Sequence, residues 1–313
     1  MLTSFAPYVA IWIAMYLLKD IALWATLLLA IPAAFFLVRI FIIQHDCGHQ
    51  SFFSKKKWNN IVGSISSLFS TLPYFYWAKS HHFHHQHNGL LREYRDIWDI
   101  TTFTVEEYKN LSKFKKIKYK LFRNPLVMFG LGPTWYLVFY NRLPLIKLPW
   151  WTKVKRSLLY NNIAIFWLYA FLWYALWRDV LLKVQLPIVM TFATIAIRFF
   201  YLQHQHEFWY KQYKEKREYI AAAIQWSSYY KLPRIRHRLS GNIGYHHIHH
   251  LNAFVPSYAL ARCHHDNPIF NTYIQTLTFT QSLSCMWNHL RDESQQRMVS
   301  FAYYRRHYKN ARA

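Results

Sequence analysis

Two pairs of long apolar runs limit what this chain can fold into. Leu2 to Leu18 carries no charge, Lys19-Asp20 interrupts, and Ile21 to Ile43 is apolar again apart from Arg39. Leu158 to Trp177 and Val184 to Leu202 repeat the pattern, separated by the short stretch Arg178 to Lys183. A helix rises about 1.5 Å per residue, so crossing a bilayer takes about 20 residues. The run 2–18 is on the short side and the other three suffice. In lipid the backbone must bond to itself, which leaves the helix as the natural form for such runs. The expected fold class is all-α integral membrane, with four transmembrane helices as two hairpins plus interfacial helices. Pro32 predicts a kink, whereas Pro187 falls in a first turn, where proline is tolerated. No basic region precedes the first run and no cleavage site is evident, so it is not read as a removable signal peptide.

Charge orients these spans. The 313 residues include 38 Lys plus Arg against 14 Asp plus Glu, a net charge of +24. Lys19, Arg178 and Lys183 lie in the outer turns, and Arg39 and Arg198 lie inside spans. Every other Lys and Arg falls on the opposite side. The positive-inside rule makes that side cytoplasmic, together with both termini. Topology thus accounts for the basic excess, no nucleic-acid motif is present, and no nucleic-acid partner is expected. Cys47, Cys263 and Cys285 are widely spaced without a CxxC pattern, which suits a reduced, cytosol-facing setting. The expectation is one domain, 1–313, with spans at about 2–18, 21–43, 158–177 and 184–202 and a cytoplasmic cap of 45–157 and 203–313.

Between the spans, Ile61 to Tyr76 is apolar but broken by Gly63, serines and Pro73, and predicts an interfacial or re-entrant helix. Phe103 to Lys120 predicts a lysine-rich soluble helix. Pro125 to Tyr140 is interrupted by Gly130, Gly132 and Pro133, and is expected to lie on or dip into the membrane. Lys147 to Arg156 and Tyr303 to Arg312 are basic and aromatic. Arg39 and Arg198, each one turn from a span end, are expected to snorkel toward headgroups. The aromatic excess, 20% of residues, suits interface and core, with Trp77, Trp98, Trp135 and Tyr136 candidates for lining an acyl tunnel.

Three histidine clusters sit on the cap side. His246, His249 and His250 form a HisxxHisHis pattern, His81, His84 and His85 repeat it, and His45 and His49 form HisxxxHis. Helical residues three and four apart share a face, so each cluster aims its imidazoles at one point. Imidazole nitrogen ligates iron, zinc, copper and nickel, and eight such residues suffice for two ions. With few carboxylates, any metal must lean on histidine. His204 and His206 follow the last span as His45 and His49 follow the second. His82 and His247 lie off the ligand spacing, and His87, His264 and His265 suit surface or supporting places. Asp46, Asp96 and Glu207 could hold the far nitrogen of a ligand histidine.

Several stretches make the resemblance specific: His45-Asp46-Cys47-Gly48-His49-Gln50-Ser51-Phe52-Phe53; Asp96-Ile97-Trp98 with Thr104-Val105-Glu106-Glu107-Tyr108; Arg123-Asn124-Pro125 to Gly132-Pro133; Gln203-His204-Gln205-His206-Glu207; and Gly241-Asn242-Ile243-Gly244-Tyr245-His246 to Leu251. From about Ile40 to His264 the chain resembles the integral-membrane fatty acid desaturases, in particular bacterial acyl-lipid enzymes of the Δ5, Δ12 and ω-6 type. That resemblance implies a cis double bond formed in a lipid-linked acyl chain, with O₂ as co-substrate. It implies two iron ions held by His45, His49, His81, His84, His85, His246, His249 and His250, with His204 as a ninth ligand and His206 its rival. It implies electrons from ferredoxin or cytochrome b5, and a bacterial inner-membrane location. No HisProGlyGly haem motif occurs, so no fused cytochrome b5 domain is expected. Two other functions stay open: a related membrane di-iron hydroxylase or ketolase on lipid or carotenoid, and a non-enzymatic membrane metal-binding or transport protein.

Overall fold

The computed structural model of the protein describes residues 1–90, 100–145, 152–208, 212–214 and 218–309. Asp96-Ile97-Trp98 and the first half of the Lys147 to Arg156 stretch, 147–151, lie outside them. The chain is mostly helical, with a few strands of two or three residues. α1 (Leu2–Leu18) and α2 (Leu23–Gly48) form the first apolar hairpin. α3 (Lys56–Ser70) and α4 (Tyr74–Gln86) follow, separated at Thr71, whose φ of 59° ends α3, and at Pro73, which precedes α4. α8 (Thr152–Leu176) and α9 (Arg178–His204) form the second apolar pair. α2, α8 and α9 are long and apolar enough to cross a membrane, and α1 is a shorter apolar helix.

The second turn is tighter than expected. Trp177, at φ 65°, breaks the helix alone, and Arg178 to Lys183 are already helical in α9. The reason is packing: Val180 and Val184 are fully buried in the main core, so the apolar face of α9 begins before the charges end. α2 likewise outlasts its apolar run. It continues unbroken through Pro32 and ends five residues after Ile43, which carries His45 on its last turn.

The two hairpin ends meet. Lys183 Nζ lies 2.7 Å from Asp20 and 3.2 Å from Asp179, and Lys19 also pairs with Asp20. Trp12 Nε1 donates to Gln185 Oε1 at 3.0 Å. Apolar side chains of α1, α2 and α9 fill the core between them, with Ala30, Ala33, Ala34 and Ala193 among the buried members. Lipid gives little hydrophobic drive between spans, so small residues that let backbones approach do that work. α8 shows the opposite surface: Phe166, Trp167, Phe171, Trp173 and Tyr174 are exposed, as a lipid-facing helix requires.

The span arginines do not reach outward. Arg39 donates from Nε to Ser4 Oγ at 3.1 Å, from Nη2 to Thr3 Oγ1 at 3.1 Å and from Nη1 to the Arg238 carbonyl at 2.6 Å. Arg39 therefore ties the start of α1 to the cap instead of snorkelling to headgroups. Arg198 Nη1 likewise points into protein, 3.7 Å from Met286 Sδ.

The expected helix Phe103 to Lys120 is broken. Phe103–Thr104 is strand β1, followed by α5 (Val105–Asn110) and α6 (Lys113–Phe122). Thr104 and Glu107 form a capping box that starts α5, and the Ser112 side chain caps α6 after extended Leu111. Two strong start signals in nine residues override a continuous lysine-rich pattern. β1 pairs in parallel with Leu290–Asp292, which pairs antiparallel with Arg297–Val299. Val127–Leu131 is a π-turn distorted at Gly130, and α7 (Gly132–Val138) follows with Pro133 near its start.

Gly63 of α3 lies against Tyr74, the first residue of α4. A Cβ there would lie 2.2 Å from Tyr74 Cε2, and Tyr74 is held by its hydroxyl bond to the Cys47 carbonyl at 2.7 Å. Gly63→Ala is therefore expected to destabilise by ~1–3 kcal/mol, outweighing the gain of about 1 kcal/mol in helix propensity. A melting temperature unchanged or raised in detergent would contradict this packing.

Candidate metal centre

Four segments deliver imidazoles to one end of the apolar helices. α2 ends in His45, and His49 caps it with its N–H on the Cys47 and His45 carbonyls. α4 carries His81, His84 and His85, and α9 ends at His204. After α10 (Tyr219–Gln225) and α11 (Arg234–Leu239), the short α12 (His246–Leu251) carries His246, His249 and His250. Gly241 makes the last approach possible: at φ +60° it needs no side chain, and a Cβ would meet Ile42 of α2 at 2.9 Å. Gln203 Nε2 donates to the Ile243 carbonyl at 2.6 Å, pinning the same turn to α9.

Eight of the nine histidines are buried, His49 is half-buried with its Nε2 turned inside, and the nine rings form one contiguous cluster. His45, His49, His81 and His249 compose one group that could hold a metal ion, and His84, His204 and His250 compose a second. In each, the nearest ligand nitrogens lie within 4.8 Å of one another. His85 and His246 stand at the edges of these groups. His85 Nε2 is 3.1 Å from His81 Nε2, and its ring stacks on His250 at 4.3 Å. His246 Nε2 is 3.0 Å from both His204 Nε2 and His250 Nε2. The second group takes His204, not His206. His206 is buried outside both groups, with its pKa pulled down to about 4, mainly by burial.

The donor set fits metal. Among the described residues, His49 Nε2 and His249 Nε2 are buried without a hydrogen-bond partner. Such groups are costly unless something else satisfies them, and a cation suits two converging lone pairs. Protons do not suit the cluster. Burial first, then neighbouring imidazoles, pulls His49, His81, His85, His246, His249 and His250 well below their ordinary range. Neutral imidazole is the form that ligates.

Supporting contacts fix several rings. Asp46 Oδ1 accepts from His45 Nδ1 at 3.1 Å, which leaves Nε2 facing the first group. The other carboxylate oxygen accepts from the Ser257 N–H at 2.7 Å, at the start of α13 (Ser257–Asp266). Asp46 thus does what the sequence allowed, whereas Glu207 is turned outward to Arg297 at 3.3 Å. Asp96 lies outside the described residues. His82 is exposed, and His247 faces away from both groups toward His264, at 3.3 Å. His264 is buried, His265 is exposed, and His87 bonds the Phe83 carbonyl of its own helix.

Two tryptophans wall the cluster. Trp77 stacks on His81 at 4.7 Å, and Trp226 stacks on His204 at 4.1 Å. Trp77 therefore shields the site, while Trp135 is 62% exposed. Sequence reasoning missed Trp226 and also Asn88, whose amide lies 3.4 Å from His250 Nδ1. Neither residue stands at a spacing that signals the contact.

Apolar helices capped at one end by a polyhistidine cluster define a membrane protein whose histidines are grouped so that they could hold metal. The chain belongs to the fatty acid desaturase family, whose members are oxidoreductases: the family's model matches residues 4–277. It is 40% identical over 302 residues to a fatty acid desaturase of Bacillus subtilis, covering 96% of this chain and 84% of that one. It is 27% identical over 268 residues to an sn-1 oleoyl-lipid 12-desaturase of a Picosynechococcus species, covering 82% and 73%. Over 98 residues, 30% of this chain and 26% of the other, it is 35% identical to an sn-1 acyl-lipid omega-3 desaturase (ferredoxin) of a Nostoc species.

The depressed histidines carry a pH dependence of defined sign. Unfolded histidines titrate near 6.5, so below that pH the unfolded chain binds more protons than the folded one. Stability of the metal-free protein is present above about pH 6.5 and is expected to fall as pH drops through 6 and 5. A melting temperature flat from pH 7.5 to 5 would refute this.

Proposed function

We propose that this chain is an acyl-lipid desaturase that introduces a cis double bond into a lipid-linked fatty acyl chain. The observation that carries the proposal is the meeting of histidines from four separate segments in two groups at the ends of apolar helices. A single domain, 1–313, would place four spans in a bacterial inner membrane. Its cap, 45–157 and 203–313, and both termini would face the cytoplasm, in keeping with the basic excess of the cap. The pairing of Asp20 with Lys183 supports placing both hairpin turns on the opposite side.

In this reading His45, His49, His81 and His249 hold one iron and His84, His204 and His250 the other, with His85 and His246 completing the set. A bound iron pair supplies the power to activate O₂ and remove hydrogen from an unactivated CH₂. The chain's own residues supply the rest. Asp46 holds the Nδ1 proton of His45, so that Nε2 stays available. Trp77 and Trp226 cover ring faces and keep water from the cluster, which protects a reactive centre from side reactions. Burial keeps the imidazoles neutral. Overall, two hydrogens leave the acyl chain, and O₂ takes these with two electrons and two protons to give two waters. Electrons come from an external donor, ferredoxin or cytochrome b5. The Nostoc relative's name, which includes ferredoxin, supports the former, and a basic cap suits an acidic partner.

His84→Ala and His249→Ala, expressed in a bacterial host, should each lower iron content and abolish the product while the protein stays in the membrane. The product is read as methyl esters by gas chromatography and mass spectrometry, two mass units below an existing acyl chain. Retained activity in either variant would sink the assignment. A product heavier by one oxygen would move it to a hydroxylase.

A further inference from the structure

We propose that a cavity beside α6, remote in sequence from the histidine clusters, seats the phosphate of a membrane phospholipid headgroup. The cavity, of about 420 Å³, is lined by residues that include Lys120, Arg123, Asn124, Trp287, His289 and Arg305. Its size lies within the ~300–1,000 Å³ of small-molecule sites. Among the described residues no carboxylate lines it.

The polar groups that line it are mostly donors. Lys120 and Arg305 are exposed cations at its mouth, and Arg123 is a buried one at its floor. Arg123 is held within the protein: Nη1 donates to the Thr101 carbonyl at 3.1 Å and Thr102 Oγ1 at 3.3 Å, and Nη2 to Tyr201 Oη at 3.1 Å, to Gln205 Oε1 at 3.0 Å and to the Asn288 carbonyl, so its terminal N–H groups are committed inside the fold. His289 Nδ1 accepts from the Phe301 N–H at 3.3 Å, which places the ring proton on Nε2. Burial and Arg123 bring the His289 pKa down to about 3, so it stays a neutral N–H donor. Asn124 Oδ1 is taken by the Leu126 N–H at 2.9 Å, which leaves its amide hydrogens. Trp287 offers only N–H. The two exposed cations, Lys120 and Arg305, together with the N–H groups of His289, Asn124 and Trp287 around a small cavity match a phosphate.

The surroundings favour a lipid over a free anion. Phe114, Ile117 and Leu121 lie three and four apart on α6 and are all exposed. The same helix carries Lys113, Lys115, Lys116, Lys118 and Lys120, while Tyr119 faces inward and donates to the His289 carbonyl at 2.6 Å. A helix with an uncovered apolar face and a basic remainder lies at an anionic membrane surface. Leu126, two residues after Asn124, is 83% exposed. A headgroup in the cavity would leave its tails beside these residues. The proposal rests on the chain's being a membrane protein, and is independent of the reaction it catalyses.

Native mass spectrometry of the delipidated, full-length protein tests it with three probes: phosphatidylglycerol, an uncharged diglucosyl diacylglycerol with the same acyl chains, and inorganic phosphate alone. Wild type should bind phosphatidylglycerol in preference to the glycolipid. Lys120→Gln combined with Arg305→Gln should weaken phosphatidylglycerol roughly ten- to thirty-fold and leave the glycolipid unchanged. Lys115→Gln with Lys118→Gln, on the same helix but outside the cavity, should change affinity less than about twofold. Equal loss in both double variants would reveal general surface charge and overturn the site. Unchanged phosphatidylglycerol binding in the cavity variant would overturn it too. Inorganic phosphate binding as tightly as the lipid would assign the cavity to a free anion instead. None of these readouts needs a double bond to form, so failure here leaves the desaturase proposal standing, and the converse holds.

Discussion

Nine imidazoles can share one dry volume only while they are neutral and while rigid elements hold their nitrogens together. A protonated histidine there would face other cationic or dipolar rings with no water to screen it, which is why burial and mutual proximity act in the same direction. The same arrangement leaves buried lone pairs, on His49 and His249, that a metal cation could satisfy. Neutrality, dryness and metal affinity are thus one condition, and the rest of the fold serves it.

Rigidity comes from the membrane helices. α2 and α9 pack along a small-residue seam, and each runs past its apolar stretch to deliver histidines where it ends. Helical backbones cannot bend to suit a ligand, so ligand positions follow from helix lengths and from the seam. The ion pairs at the opposite end, around Asp20 and Lys183, are exposed and contribute little energy, but they register the two hairpins. Arg39 performs a related task at the other end by joining α1 to the cap.

The cap completes the cluster with shorter elements. α4 and α12 are too short to be stable alone and are held by what they touch. Gly241 lets α12 close on α2, Gln203 pins its lead-in, and Asp46 bonds both a ring of the cluster and the start of α13. A single carboxylate that orients His45 and anchors a neighbouring helix links site geometry to cap folding.

The apolar runs, the histidine spacings and the charge asymmetry are local or one-dimensional, so the sequence by itself determined a helical membrane protein with its candidate ligands gathered on one side. Capping signals were legible too, although the lysine pattern from Phe103 to Lys120 hid the break that Thr104 and Ser112 impose. What depends on contacts between distant segments was not legible. Only the tertiary structure separated His204 from His206, turned Glu207 away while leaving Asp46 on His45, and laid Trp226 over His204. It also drew Arg39 into protein rather than toward lipid. Each of these turns on which face of a helix end meets a partner far along the chain, and a one-dimensional pattern carries no information about that partner's position.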